Sequence, residues 1–98
     1  KFVLADVSTE IEVTRPFTEQ CILKLNERKL TPAQAARAKL WGSELQNRVI
    51  DKCLQLFGGY GYMAEFPIGQ AYVDARISPI YAGTNEIMKT IISKDVLS

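Results

Sequence analysis

Apolar positions in the first quarter of the chain recur at intervals of three or four residues. The row consists of Val3, Val7, Ile11, Thr14, Phe17, Cys21 and Leu25. This spacing is typical of one face of an amphipathic helix. Pro16 lies inside the row, and because proline removes a backbone donor we expect it to kink the helix or split it near Arg15.

A second helix is predicted to begin after Thr31. Thr31 is a favourable N-cap, Pro32 stands at the first helical position, and Gln34 is placed to close a capping box. Its broad apolar face suits a helix packed on both sides in the middle of a bundle, and comprises Ala38, Trp41, Leu45, Val49, Cys53 and Leu56, widened by Leu40, Ile50, Leu54 and Phe57. Gly58 is predicted to take the left-handed position that ends the helix.

Two further helices are predicted in the last third. The stretch FPIGQAYVDARI, residues 66–77, reads as a helix of about two turns, which Ser78-Pro79 breaks. The last helix begins at Thr84, and its apolar face consists of Ile87, Met88, Ile91 and Ile92. No strand is predicted, so the expected fold is all-α: an up-and-down bundle of three long helices and one short helix in a single domain, residues 1–98.

Composition excludes several kinds of function. The net charge is +1 without a basic stripe, which argues against nucleic-acid binding. Histidine is absent and no CxxC motif occurs, so a zinc site is not expected; Cys21 and Cys53 are predicted to be buried, reduced thiols. No apolar run approaches the roughly 20 residues that cross a bilayer. The chain starts with Lys1 inside a running helical pattern, so we expect it to be part of a longer protein.

The stretch QLFGGYGYMAEFP, residues 55–67, contains three of the six glycines. It is not a dinucleotide-binding fingerprint, since it follows a helix and its spacing differs. Taken alone, it predicts a helix end followed by a tight turn, covered by Tyr60, Tyr62 and Phe66. Close by, Glu65, Asp74 and Arg76 are expected to form a local set of salt bridges.

Gly83 and Thr84 open the last helix. The unpaired N–H groups of a helix N-terminus favour a polar or anionic ligand. The simpler interpretation is a well-capped helix, with Thr84 as N-cap and Glu86 in the first turn. The residues alone leave both interpretations open.

Residues 55–96 together resemble the C-terminal signature of the acyl-CoA dehydrogenase family. The motifs that carry the resemblance are QLFGGYGY, the acid and proline of EFP, VDARI, IYAGT and the helix that follows it. The preceding helices fit the C-terminal bundle of the family, so the resemblance covers essentially the whole chain. It implies a tetrameric flavoprotein that dehydrogenates the Cα–Cβ bond of an acyl-CoA thioester in fatty-acid β-oxidation. FAD accepts the hydride, and electrons pass to an electron-transfer flavoprotein.

The resemblance also assigns site residues. Thr84 and Glu86 are implied to contact the FAD of their own subunit, and Tyr81 and Gly83 to line the acyl-CoA site. The segment implied to lie against the FAD of a neighbouring subunit comprises Gln55, Leu56, Phe57, Gly58 and Gly59.

Two positions depart from the family pattern. Ala82 occupies the place of the usual catalytic glutamate, and Val73 precedes Asp74 where many members have arginine. The chain is then either an inactive relative or a member of the long-chain type, in which the base lies on the preceding bundle helix. IYAGTNEIMK and AYVDARI resemble the long-chain branch, so the base is expected upstream of Lys1 and no catalytic residue is assigned here.

Other expectations follow from the resemblance. The protein is expected inside the cell, in the cytoplasm if bacterial and in the mitochondrial matrix if eukaryotic. Alternatives are a nitroalkane-oxidising or hydroxylating flavoprotein of the same fold, or a non-catalytic helical oligomerisation module. Without the preceding helix, some of Val3, Val7, Ile11 and Phe17 should be exposed, and the 98 residues should form a dimer or higher oligomer.

Overall fold

A computed structural model describes all 98 residues and contains four α-helices and no strand. The helices are α1 (Phe2–Asn26), α2 (Pro32–Leu56), α3 (Pro67–Ala75) and α4 (Asn85–Leu97), and a 3₁₀ turn (Gly58–Tyr62) lies between α2 and α3. The predicted all-α fold with three longer helices and one short helix is confirmed.

Helix α1 runs through Pro16 as one element of 25 residues. Of the two outcomes predicted for Pro16, the split near Arg15 is therefore wrong, and the kink stays a prediction. Proline removes only its own backbone donor, and the hydrogen bonds on either side of that gap continue the helix. Part of this face of α1 is also held by contact with α2, because the indole Nε1 of Trp41 donates to Thr14 Oγ1 at 2.8 Å.

The ends of α2 follow the sequence prediction closely. Thr31 Oγ1 accepts from the backbone N of Gln34 at 3.1 Å, and the Gln34 side chain accepts from the backbone N of Thr31 at 3.0 Å. This reciprocal pair is the capping box. At the other end, Gly58 has φ of +59°, the left-handed conformation predicted for the residue after the helix.

Helix α2 is the centre of the domain. It contacts α1, α3, α4 and the 3₁₀ turn, whereas α1 touches neither α3 nor α4. Arg37 on α2 pairs with Asp95 on α4 at 3.5 Å, and the Arg48 guanidinium lies 4.8 Å from the centre of the Trp41 ring. The predicted central position of α2 is confirmed by these contacts. Its predicted apolar face is only partly covered, since Trp41, Leu56 and Phe57 are 42%, 49% and 43% exposed.

The domain has a small buried core. Only eight of the 98 residues are buried, and no large side chain is fully enclosed. Along the predicted α1 row, Val7 is buried and Val3 and Phe17 are half-buried, whereas Ile11 is 40% and Leu25 61% exposed. The expectation that some of Val3, Val7, Ile11 and Phe17 are exposed is therefore confirmed for Ile11 alone. The largest exposed apolar side chains of α1 lie on its other faces: Phe2 is 79%, Val13 71% and Leu23 62% exposed.

Three local expectations are wrong. Glu65, Asp74 and Arg76 form no salt bridge, and Asp74 instead accepts a hydrogen bond from Gln70, one turn earlier, at 2.8 Å. Cys21 and Cys53 form no disulfide and are only half-buried, so their predicted burial is wrong. In the predicted apolar face of α4, Met88, Ile91 and Ile92 are half-buried, and the prediction is wrong only for Ile87, which is 52% exposed. None of the four helices has the length and apolar character needed to cross a membrane.

Candidate functional site

The connection between α3 and α4, residues 76–84, folds into a strained turn. Tyr81 donates its backbone N–H to Ile77 O at 3.0 Å, and Asn85 donates to Pro79 O at 2.9 Å. Two consecutive residues then have positive φ, Ala82 at +55° and Gly83 at +91°. For alanine this conformation is costly, and such strain persists only where the surroundings fix it.

Thr84 caps α4 as predicted. Its Oγ1 accepts from the backbone N of Ile87 at 3.3 Å, and Glu86 lies exposed in the first turn. The backbone N–H groups of Asn85 and Ile87 are paired, whereas that of Glu86 has no hydrogen-bond partner within the chain. The helix is well capped and still presents a free donor at its N-terminus.

A polar cleft of about 470 Å³ opens beside this N-terminus. Thr84 and Glu86 line it from α4, and Glu44 and Arg48 line it from α2. Ile80 is its only hydrophobic lining residue. The two residues implied to contact the FAD of their own subunit therefore both line this cleft.

Tyr81, Ala82 and Gly83 are exposed on the surface of the connection and do not line that cleft. A Cβ on Gly83 would stand 3.0 Å from Cε of Met88, and its φ of +91° adds strain for any other residue. Gly83 is thus required by the turn itself, whatever ligand lies outside it.

A polar network under the connection was not predicted from the sequence. Lys39 Nζ on α2 donates to Gly83 O at 2.7 Å and to Asn85 Oδ1 at 2.9 Å. Asn85, itself buried, donates from Nδ2 to Ser43 Oγ at 2.9 Å, and Asn47 donates to Ala75 O at 3.1 Å. The sequence did carry a signal, since Lys39, Ser43 and Asn47 recur every four residues on one face of α2.

The glycines after α2 have different explanations. A Cβ on Gly61 would stand 2.7 Å from Leu54 O, so packing within the chain requires this glycine. Gly58 requires its positive φ. Gly59 has neither a positive φ nor any atom within 4 Å of an added Cβ, and it is exposed. Nothing inside the chain explains a glycine at position 59.

The aromatic residues of this segment also divide into two groups. Phe57 and Tyr60 pack against Phe66, with ring centres 6.0 and 5.3 Å apart. Tyr62 is 94% exposed. The prediction of a covered turn therefore holds for Phe66, which is half-buried, holds only in part for Tyr60, which packs on Phe66 but is 62% exposed, and is wrong for Tyr62.

A second, more apolar cleft of about 540 Å³ lies between α2, the 3₁₀ turn and α3. Leu54, Met63, Tyr72 and Val73 are among its lining residues. None of the residues assigned to a cofactor or substrate lines this cleft. No group of three or more histidine, cysteine or acidic side chains is placed to hold a metal ion.

The two predicted cofactor-binding groups lie far apart along α2. Lys39, which holds Gly83, and Gln55 are separated by sixteen residues of that helix, about 24 Å at 1.5 Å per residue. Residues 55–59 are all exposed and line neither cleft. Within one chain, the two groups therefore lie at well-separated places on the domain.

Comparison with known proteins identifies the family of this helical domain. The family described as "Acyl-CoA dehydrogenase, C-terminal domain" matches residues 1–97, and the chain belongs to this family. The long-chain specific mitochondrial acyl-CoA dehydrogenase of Rattus norvegicus is 53% identical over 95 residues, which are 97% of this chain and 22% of that protein.

Solved structures show the same fold. An acyl-CoA dehydrogenase of Geobacillus kaustophilus superposes with a TM-score of 0.93 at 43% identity, covering 97% of this chain and 25% of that one. A chain from a structure described as the electron transferring flavoprotein of Acidaminococcus fermentans superposes with a TM-score of 0.91 at 35% identity, covering 98% and 25%. The chain spans about a quarter or less of the proteins it matches.

Proposed function

We propose that residues 1–98 are the C-terminal helical domain of an FAD-dependent acyl-CoA dehydrogenase acting in fatty-acid β-oxidation. The observation that carries the proposal is the 53% identity to a long-chain specific acyl-CoA dehydrogenase over 97% of the chain. The domain contributes cofactor, substrate and subunit contacts to a longer protein.

The residues at the N-terminus of α4 fit FAD. The free N–H of Glu86 and the helix dipole favour a polar or negatively charged ligand group, and the adjoining cleft is lined almost wholly by polar residues. Thr84 and Glu86 hold the cofactor of their own subunit there. FAD, when bound, supplies the acceptor for the substrate hydride.

Residues 55–59 fit the FAD of a neighbouring subunit. The absence of any intrachain need for glycine at position 59 is explained if a dinucleotide approaches the backbone from outside. Gln55, Leu56, Phe57 and Gly58 are exposed beside it, and Gln55 supplies a side-chain donor. The distance of about 24 Å along α2 supports the assignment of the two groups to two cofactor molecules, and hence an oligomer.

Tyr81 and Gly83 line the acyl-CoA site in this proposal, and Ala82 between them cannot accept a proton. The α-proton is then removed by a carboxylate that lies outside residues 1–98. The role of this domain is to orient the thioester and to exclude water, which strengthens polarisation of its carbonyl.

Partners and location follow from the same proposal. The electron acceptor is an electron-transfer flavoprotein, and one of the chains that share this fold comes from a structure of an electron transferring flavoprotein. The rat relative is named as a mitochondrial protein. The location we assign is the mitochondrial matrix in a eukaryote and the cytoplasm in a bacterium.

The test uses the full-length protein. Its visible spectrum is recorded as purified and again after anaerobic addition of acyl-CoA thioesters of different chain lengths. We expect a flavin spectrum that one chain-length class bleaches. A flavin that no acyl-CoA bleaches would favour the nitroalkane-oxidising or hydroxylating relatives.

Two observations favour a second candidate. Ala82 has lost the usual carboxylate, and α1 carries a large exposed apolar surface, both of which suit a non-catalytic oligomerisation module. A full-length protein that binds no flavin, even after reconstitution with FAD, would support this candidate against the enzyme.

A further inference from the structure

Lys39 places a positive charge beside the N-terminus of α4, where a cation is unfavourable. It lies half-buried on α2, and its ammonium group contacts the first residues at the N-terminus of α4. A cation at this end of a helix opposes the helix dipole. Lys39 is therefore not there to stabilise α4 by charge.

The hydrogen bonds of Lys39 fix the backbone and side chain around the start of α4. The Lys39 ammonium reaches the carbonyl of Gly83 at 2.7 Å and Oδ1 of Asn85 at 2.9 Å, on both sides of the cap residue Thr84. Hydrogen bonds from a charged donor are roughly twice as strong as neutral ones. One side chain of α2 thus fixes two points of the connection across 44 and 46 positions of sequence.

Asn85 extends this anchor to a second point of α2. Its Nδ2 donates to Ser43 Oγ at 2.9 Å, so both polar atoms of the buried Asn85 amide are bound to α2. Lys39 and Ser43 are one helical turn apart. These two contact points fix the position of the first turn of α4 along the axis of α2 and its rotation about its own axis.

The connection needs such an anchor. Ala82 and Gly83 both have positive φ, and alanine does not keep that conformation unless its neighbours impose it. The carbonyl that Lys39 holds belongs to Gly83, the residue directly after Ala82. Releasing it frees the turn to relax away from the strained conformation.

We propose that Lys39 is a positioning residue that fixes residues 81–84 from the α2 side. It holds Tyr81, Gly83 and Thr84 in place for acyl-CoA and FAD without touching either ligand. The catalytic consequence rests on the proposed function, whereas the anchoring of the connection does not.

The test compares Lys39→Met with Lys52→Met in the full-length protein. Lys52 is also half-buried on α2 and makes no hydrogen bond or ion pair, so it is a matched control. Hydrogen exchange is measured on the amides of Tyr81, Asn85 and Met88. For Lys39→Met we expect exchange there to be faster by roughly tenfold or more, because hydrogen bonds to a charged group are lost, while α1 is unchanged.

The second measurement is the rate of anaerobic flavin reduction. We expect Lys39→Met to slow reduction by acyl-CoA by roughly tenfold to a hundredfold, since misplaced reactants react slowly. Reduction by dithionite should be unchanged, and Lys39→Arg should restore part of the acyl-CoA rate. If Lys39→Met does not fold, Lys39→Gln takes its place.

The outcomes separate the two proposals. Faster exchange confined to the connection supports the anchor, even if the wild type is not bleached by acyl-CoA and the proposed function fails. Unchanged exchange overturns the anchor, whatever the activity. Equally faster exchange in α1 and the connection also overturns it, because Lys39 would then only stabilise the whole domain.

Discussion

Gly61 packs against the backbone of α2 so closely that a Cβ at this position would stand 2.7 Å from the carbonyl oxygen of Leu54. Two residues away, Gly59 has no neighbour within 4 Å of an added Cβ. The two glycines belong to one motif in the sequence, but the fold requires only the first.

We therefore expect Gly61→Ala to destabilise the protein, because the added methyl meets backbone that cannot move aside. Overpacking of this kind costs about 1–3 kcal/mol. The free energy of unfolding is measured on the full-length protein by chemical denaturation, with Gly59→Ala as the matched control. Equal stability of the two variants would contradict the packing described here.

Gly59→Ala should act on the cofactor instead. If a neighbouring subunit's FAD approaches this backbone, an added methyl meets the dinucleotide. We expect FAD affinity to fall about tenfold, which corresponds to about 1.4 kcal/mol, with unfolding of the apoprotein unchanged. Affinity is measured by titrating FAD into the deflavinated protein, and wild-type affinity would remove position 59 from the proposed site.

Local features of the fold were predictable from the sequence, whereas contacts between distant residues were not. The ends of α2 were predictable because Thr31, Gln34 and Gly58 act on their own neighbours in sequence. Lys39 was not recognised, because its acceptors lie 44 and 46 positions away and only the packing of α4 on α2 brings them close. The predicted salt bridge between Glu65 and Arg76 was wrong for the opposite reason, because residues that are near in sequence do not have their charged groups within 4 Å of each other.

Thr84 has a structural role that can be separated from ligand binding. Thr84→Ala removes the side-chain acceptor of the Ile87 N–H, and loss of an N-cap costs about 1 kcal/mol. Thr84→Ser keeps that acceptor, so we expect it to unfold like the wild type. If both variants lose FAD affinity while only Thr84→Ala loses stability, the threonine methyl contacts the cofactor; if FAD affinity is unchanged in both, Thr84 is only a cap.

Ala82 should store strain in the native connection. Its φ of +55° costs an L-residue about 1–2 kcal/mol relative to glycine, while glycine makes the unfolded chain more flexible. We expect Ala82→Gly to be neutral or up to about 1 kcal/mol more stable, whereas substitution by a β-branched residue should destabilise. Thermal unfolding of Ala82→Gly and Ala82→Val measures the difference, and a stabilised Ala82→Val would contradict the left-handed conformation.

The outer surface of α1 should make the isolated 98-residue chain associate. Phe2, Val13 and Leu23 are among its most exposed apolar residues, and no other element of the chain covers them. Exposed apolar surface of this kind drives association, so we expect a dimer or higher oligomer by light scattering at micromolar concentration. Val13→Lys with Leu23→Lys should shift it toward the monomer, because burying two unpaired ammonium groups is costly. Glu19→Lys, which adds positive charge on an exposed polar position of α1, is the control and should leave the association unchanged.

A wild-type monomer across this range would show that α1 needs no partner. Equal dissociation of all the variants would show that the added charge, rather than the loss of apolar surface, causes the effect.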